Sequence, residues 1–348
     1  MFPRTSLLAA ALAFAATAAA SPGLSFSVSA PKSIEGVANL KLSSVLENTG
    51  DEVIRVLNDP QTPLSKLPTK SFTVTGSAGG HPSFRGAHAK YDPEIAAAKG
   101  AYTTIQPGES VRLNHDLSTL FDFTDAGEDD YDFIPNKPFT LVKEDGTLEH
   151  ITADLPSRPT AKITGNLAAR EVPTKRNKMR IEKRADFPGC SSSEESDLVT
   201  AYGAATSMAN EASSSISSAS SGDARYEEWF GAYSSSNQGT ASGILSKVAG
   251  GDWTGFSYDC SCTEAGTYAY VYPARYGEIF LCGVFWDIAV SGPNSRAGTL
   301  IHESSHFTQN GGTDDIVYGT SGARDLASSS PSQAINNADN YEYYAEHP

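Results

Sequence analysis

The chain divides into two chemically different segments at Lys183-Arg184, and this division constrains its fold more than any other feature of the sequence. The segment after Arg184 contains 20 acidic and 5 basic residues and carries the whole formal net charge of −15. It also contains all four cysteines. A chain of 348 residues is long enough for two domains, and segments of such different composition are expected to fold as separate units.

The first twenty residues predict secretion. A single basic residue, Arg4, precedes an apolar run from Leu7 to Ala20 that ends in three alanines before Ser21. This pattern is typical of a secretory signal peptide, and the run is too short for a comfortable membrane span. We therefore expect an extracellular protein without a membrane anchor.

The basic run from Thr174 to Arg184 predicts proteolytic processing. In a secreted chain, a terminal Lys183-Arg184 pair is a plausible site for a kexin-type protease, and the alternative is a solvated basic linker. The predicted organisation is a signal peptide over residues 1–20, a propeptide over 21–184 and a mature domain over 185–348. The acidic balance argues against nucleic-acid binding and against docking on an anionic membrane. The acidic charge is compatible with a cationic partner or substrate. We expect the protein to be a monomer.

Short alternating stretches predict a β-rich, sandwich-like first segment. The stretches 24–28, 53–57, 71–74 and 139–142 alternate or are apolar, and Gly, Pro and Asn turns separate them. The histidines of this segment, His81, His88, His115 and His150, are scattered, so we expect each to be a surface or core residue. No catalytic cluster is expected here.

The second segment predicts a mainly helical domain with a small antiparallel sheet, which makes the whole chain α+β. Ser191 and Glu194 form a capping-box pattern, and apolar residues follow at helical spacing. Residues 267–272 and 278–282 predict a hairpin around Pro273–Gly277. Helical character returns at Arg296.

The four cysteines predict two disulfides. Cys190, Cys260, Cys262 and Cys282 are an even number in a secreted chain, and a four-cysteine zinc site is disfavoured by the Cys-x-Cys spacing. Three pairings are possible, and a Cys260–Cys262 bond would be strained.

The segment 302–306 reads His-Glu-x-x-His. On a helix, His302 and His306 share one face and can bind one zinc ion, and Glu303 can reach a water molecule there. A catalytic zinc needs a third protein ligand. His347 lies at the chain end, so an oxygen ligand after the Gly311-Gly312 turn is expected, and spacing leaves Asp314 and Asp315 open.

A helix near the C-terminus carries two further carboxylates. Asp339 and Glu342 are three residues apart and share a face. They form either a solvated acidic surface or a subsite for a cation.

These motifs together resemble the aspzincin metalloendopeptidases, the deuterolysin family. The resemblance rests on His-Glu-x-x-His and on Gly-Thr-x-Asp-x-x-Tyr-Gly over residues 312–319, and it covers about residue 189 to the C-terminus. It implies a zincin fold and one Zn2+ held by His302, His306 and Asp315. It also implies that Glu303 is the general base and that Tyr318 stabilises the tetrahedral intermediate.

The stretch 337–343, Asn-Ala-Asp-Asn-Tyr-Glu-Tyr, is similar to that of the lysine-specific branch of this family, the peptidyl-Lys metalloendopeptidases. This similarity implies that Asp339 and Glu342 bind the lysine that follows the scissile bond, and that Cys190 pairs with Cys260 and Cys262 with Cys282. Protein and peptide substrates containing lysine are then expected, with the propeptide as an inhibitor or a folding aid. One lysine, Lys247, lies after Arg184, as suits a lysine-directed protease.

Two alternatives remain open. One is a broad-specificity, deuterolysin-like metalloprotease in which Asp339 and Glu342 are surface charges. The other is a non-catalytic secreted protein whose acidic face binds a basic partner.

Overall fold

The computed structural model describes residues 23–347, apart from residues 137, 157 and 172–184. The predicted signal peptide and the Lys183-Arg184 pair lie outside the described residues. Within the described ranges, no helix combines the length and apolar character that crossing a bilayer requires. A β-rich N-terminal region is followed by a mainly helical region with a small sheet, which confirms the predicted α+β class.

The N-terminal region consists of short strands joined by turns. They are β1 (Leu24–Ser29), β2 (Ser33–Glu35), β3 (Lys41–Asn48), β4 (Ile54–Leu57), β5 (Phe72–Gly76), β6 (Ser83–Phe84), β7 (His88–Tyr91), β8 (Tyr102–Ile105), β9 (Ser110–Asp116), β10 (Phe121–Asp122), β11 (Asp129–Pro135), β12 (Phe139–Val142), β13 (Leu148–Ile151) and β14 (Thr160–Thr164). A short helix, α1 (Pro93–Ala98), lies between β7 and β8.

All of these strands except β7 belong to sheets within the N-terminal region. The sheet orders are β1-β3-β9, β2-β14-β11-β5, β13-β12-β4-β8 and β10-β6. Burial alternates along the strands, as period-two patterning requires. In β3, for example, Leu42 and Leu46 are buried, and the residues immediately before and after each of them are exposed or partly exposed. The buried faces meet in one apolar core that includes Phe26, Phe72 and Phe133.

The C-terminal region contains seven helices and three strands among the described residues. The helices are α2 (Ser192–Ser217), α3 (Ala224–Phe230), α4 (Ser235–Ala249), α5 (Arg296–His306), α6 (Gly319–Ser329), α7 (Pro331–Ala334) and α8 (Ala338–Glu346). The strands are β15 (Ser257–Asp259), β16 (Thr267–Val271) and β17 (Glu278–Leu281).

Helix α2 begins where the sequence predicts it. The Ser191 side chain accepts from the Glu194 amide, and the Glu194 side chain accepts from the Ser191 amide, which completes the capping box. Leu198, Ala205 and Ile216 lie on the buried face of α2. Through this face α2 packs against α4 and α5 and supports the helix that carries the His-Glu-x-x-His segment.

Two disulfides fix the start of this region to its small sheet. They join Cys190 to Cys260 and Cys262 to Cys282, the pairing that the family resemblance implies. Cys190 lies just before α2 and Cys260 just after β15. Because they close segments of 70 and 20 residues, the bonds restrict the unfolded chain strongly.

The small sheet contains one strand from the other region. Its order is β15-β17-β16-β7. Strands β16 and β17 are antiparallel, as the hairpin pattern predicts, whereas β15 pairs with β17 in parallel, so the sheet is mixed. Strand β7 of the N-terminal region adds antiparallel to the outer edge of β16. This pairing brings residues 88–91 beside α5.

Candidate active site

Helix α5 carries His302, Glu303 and His306, and all three side chains are buried. The Ser295 side chain caps the helix by accepting from the Gly298 amide. A Cβ at Gly298 would lie well inside van der Waals distance of a carboxylate oxygen of Glu346 on α8, so the glycine permits a close approach of the two helices. The close packing of α5 on α8 therefore places the two histidines next to the acidic side chains of α8.

The chain returns to α5 after a glycine turn. Gly312 has a positive φ of 65°, and Asp314 and Asn337 form an isolated bridge that holds the following residues beside α8. Asp315 Oδ1 then lies 3.2 Å from His302 Nε2 and 3.2 Å from His306 Nε2. The Asp314 side chain is 68% exposed and that of Asp315 is 6% exposed. Of the two aspartates that spacing left open, Asp315 faces the histidines.

The donor set of these three residues fits a metal ion. His302 Nε2, His306 Nε2 and Asp315 Oδ1 are buried and have no hydrogen-bond partner among the described residues. His306 Nδ1 lies 2.7 Å from the carbonyl oxygen of Thr313, a contact that leaves Nε2 available as a ligand. Two imidazoles and one carboxylate are a common ligand set of catalytic zinc.

Electrostatics agree with this grouping. Burial acts to raise the pKa of the Asp315 carboxyl, but His306 and His302 hold it well below its usual value. The carboxylate is therefore ionised, as a metal ligand must be. His88 of β7 also offers a ligand atom within 4.8 Å of those of His306 and Asp315.

Glu303 faces β7. Its Oε1 accepts a hydrogen bond from the Lys90 amide at 3.1 Å, and its Oε2 has no partner among the described residues. Burial raises the pKa of the Glu303 carboxyl to about 7. A carboxylate with one free oxygen beside the candidate metal centre can accept a proton from water.

Tyr318 lies at the start of α6, on the other side of the same strand. Its hydroxyl donates to the carbonyl oxygen of Ala89 at 3.0 Å. The Gln61 side chain approaches the same hydroxyl at 3.5 Å. Tyr318 and Glu303 therefore contact the two ends of one peptide group, the Ala89 carbonyl and the Lys90 amide.

Asp339 and Glu342 lie on the buried face of α8. Glu342 Oε2 accepts from Lys90 Nζ at 2.5 Å, and Asp339 Oδ1 lies 3.9 Å from the same nitrogen. Asp339 Oδ1 is also 2.8 Å from His302 Nδ1, and its Oδ2 accepts from the Gly319 amide at 2.7 Å. The shared face predicted from spacing is present, and Asp339 additionally supports a candidate metal ligand.

The ammonium of Lys90 is enclosed by this pocket. The residue is 2% exposed, and its Nζ lies 4.8 Å from the ring centroid of Tyr268 and 5.4 Å from that of Tyr343. Burial acts to lower the pKa of Lys90, but Glu342, Tyr343 and Asp339 hold it well above its usual value. A buried ammonium needs such partners, because an unpaired charge in the interior is very costly.

The N-terminal region contributes residues to this site that the sequence did not predict there, among them His88 and Lys90. His88 was expected to be a surface or core residue, and the structure places its ring 4.8 Å from that of His306. The sequence around Lys90 does not predict a role at this site, because nothing nearby distinguishes it from the other lysines before Arg184.

Comparison with known proteins agrees with this geometry. A family model described as "Lysine-specific metallo-endopeptidase", of the aspzincin M35 group, matches residues 215–346. The chain is 41% identical to a peptidyl-Lys metalloendopeptidase of Grifola frondosa over 98% of both chains. It is 43% identical to a peptidyl-Lys metalloendopeptidase of Armillaria mellea, over 95% of this chain and 94% of that one. It is also 31% identical to an extracellular protease of Aeromonas hydrophila, over 90% of each chain.

A buried helix with His-Glu-x-x-His beside an ionised aspartate defines a metallopeptidase of the zincin class. Within this class, the chain is more than 40% identical to two peptidyl-Lys metalloendopeptidases along almost its whole length. The chain belongs to the aspzincin M35 family of metallo-endopeptidases. Membership of this family implies zinc as the metal and peptides as substrates.

Proposed function

We propose that the protein is a secreted zinc endopeptidase that hydrolyses peptide bonds on the N-terminal side of lysine. The observation that carries this proposal is the placement of Lys90. Its ammonium contacts Glu342 and Asp339, while the peptide bond before it lies between Glu303 and Tyr318. A lysine of the chain itself thus occupies the site as the residue after a scissile bond.

His302, His306 and Asp315 are the residues that hold the zinc ion. A zinc ion held there would supply Lewis-acid chemistry, which polarises the carbonyl of the scissile bond and makes a water molecule a stronger nucleophile. Asp339 orients His302 through its contact with Nδ1, and the Thr313 carbonyl orients His306.

Glu303 moves the proton. It accepts a proton from the attacking water and delivers it to the nitrogen of the leaving lysine, the atom that its Oε1 already contacts in Lys90. Tyr318 donates a hydrogen bond to the carbonyl oxygen, on which negative charge develops in the transition state. The edge of β16 holds the substrate backbone by main-chain hydrogen bonds, as it holds β7.

The pocket favours lysine over arginine. Two carboxylates at its end and two aromatic rings along its sides suit a compact ammonium on a flexible stem. The wider, planar guanidinium carries more N–H donors and needs more acceptors than these two carboxylate oxygens offer. Asp339 and Glu342 are therefore the residues that recognise the lysine side chain of the substrate.

Residues 1–20 are the signal peptide, residues 21–184 the propeptide and residues 185–348 the catalytic domain. The propeptide assists folding and blocks the cleft until cleavage after Arg184. Its support is that β7 completes the small sheet and occupies the site. Two disulfides and the extracellular relative support secretion.

Mapping the cut sites tests this function. The processed protein is incubated with a denatured protein of known sequence, with and without a chelator. We expect cuts before lysine that the chelator abolishes. Cuts before many residue types contradict lysine specificity and favour a broad-specificity protease. The absence of cutting by a zinc-loaded protein contradicts enzymatic function and favours a binding protein.

A further inference from the structure

The segment His88–Tyr91 lies in the active site in the manner of a bound substrate. Strand β7 runs antiparallel to β16, with Lys90 opposite Ala269 and Ala89 opposite Tyr270. The register shifts between Thr267 and Ala269. Such an irregularity redirects a side chain locally, and here it lies opposite the lysine that enters the pocket.

The carbonyl and the amide of the peptide bond between Ala89 and Lys90, and the amide of the peptide bond before it, each contact a residue of the proposed catalytic machinery. The Ala89 amide donates to Asp315 Oδ2 at 2.9 Å, and the Ala89 carbonyl accepts from Tyr318 at 3.0 Å. The Lys90 amide donates to Glu303 Oε1 at 3.1 Å. The side chain that follows fills the specificity pocket. The Ala89–Lys90 bond therefore makes the contacts that hydrolysis before a lysine requires.

Space for water exists next to Ala89. A cavity of about 230 Å³ lies between the two regions, lined in part by His88, Ala89, Asp315 and Tyr318. Because its walls include polar side chains and it exceeds the volume of several water molecules, it can hold water next to Ala89 and Asp315.

We propose that the Ala89–Lys90 bond is a self-cleavage site, hydrolysed by the active site of the same molecule. This inference rests on the proposed function. The oxygen of water bonds to the carbonyl carbon of Ala89, and the bond from that carbon to the Lys90 nitrogen breaks. Glu303 carries one proton from the water to this nitrogen. The products are a carboxylate at Ala89 and a new amino terminus at Lys90.

Burial makes the cut intramolecular. Lys90 is 2% exposed and its ammonium contacts α8 of its own chain, so a second protease molecule cannot bind it without displacing β7. Cleavage divides a four-residue strand into two pairs of residues. Short pieces pair weakly with a sheet, so the cut weakens the pairing of β7 with β16.

The test uses the full secreted chain, purified with a chelator and then supplied with zinc. Mass spectrometry follows the fragment that begins at Lys90. We expect this fragment to form with a half-time that tenfold dilution leaves unchanged, and to be absent in Glu303→Ala. Lys90→Arg keeps a cation in the pocket and slows the cut at least tenfold, while the exposed-loop variant Lys66→Ala cuts at the wild-type rate.

Two results overturn the inference and leave the proposed function intact. One is the absence of this fragment from a chain whose processed form cuts an external peptide before lysine, which makes β7 an uncut inhibitor. The other is cleavage of the Glu303→Ala chain at Lys90 by added wild-type enzyme, which makes the cut intermolecular. Failure to cut the external peptide contradicts the proposed function itself.

Chemical labelling tests the placement without activity. In the metal-free Glu303→Ala full chain, acetic anhydride modifies exposed lysines. We expect Lys66 to react at least tenfold faster than Lys90, and equal reaction of the two contradicts the buried placement.

Discussion

The Nζ of Lys90 lies 2.5 Å from Oε2 of Glu342, a contact between residues 252 positions apart in the sequence. Both side chains are buried, at 2% and 0% exposure. The pair links β7 of the N-terminal region to α8 of the C-terminal region and places a lysine in the pocket that we assign to the substrate. Its energetics follow the rule for buried charges: the pair is tolerable because each charge compensates the other.

Glu342→Gln separates substrate selection from metal binding. Glu342 contacts the lysine ammonium at hydrogen-bond distance, so its loss leaves that cation poorly compensated. We expect kcat/KM for a peptide with lysine after the scissile bond to fall by about two orders of magnitude. Zinc content stays at the wild-type level. The exposed helical variant Asp325→Asn is the matched control, and an unchanged lysine preference in Glu342→Gln contradicts the assignment.

Asp339→Asn has two effects, because Asp339 contacts both the lysine pocket and His302. We expect zinc affinity to fall about 10- to 100-fold in addition to a loss of lysine selectivity. Titration of the zinc-loaded protein with a competing chelator measures the first effect. If Asp339→Asn binds zinc with wild-type affinity, the contact between Asp339 and His302 does not contribute to zinc binding.

Glu303→Ala removes the proton carrier and leaves the three candidate ligands in place. We expect hydrolysis to fall by about 10²- to 10⁴-fold, the usual contribution of a general base. Bound zinc, measured by elemental analysis, stays at one ion per chain. Retained hydrolysis with normal zinc content would assign the proton transfer to another group.

Removal of the disulfides tests how the C-terminal region is stabilised. The chain-entropy relation gives a loss of about 4 kcal/mol for the bond closing the longer loop and about 3 kcal/mol for the other. We therefore expect Cys190→Ser with Cys260→Ser to lower the free energy of unfolding more than Cys262→Ser with Cys282→Ser. Urea denaturation of the full chain measures both, and the reverse order would indicate that native-state contacts outweigh loop entropy.

Much of the site follows from short-range patterns. The four-residue spacing of His302 and His306 places both on one face wherever that segment is helical, and the same holds for Asp339 and Glu342 at three residues. The helix start at Ser191 likewise follows from a four-residue motif. Resemblance to a family supplied what spacing left open, namely the choice of Asp315 over Asp314 and the disulfide pairing.

Other features depend on contacts between distant segments. The parallel pairing of β15 with β17 and the contact of Asp339 with His302 arise only when helices and sheet pack together. The sequence by itself determined the fold class, the metal-binding motif and the acidic pair, because these are set by neighbours a few residues apart. Only the tertiary structure decided that β7 lies on β16 and that Lys90 fills the pocket, because strand pairing across some 180 residues depends on the packing of both regions.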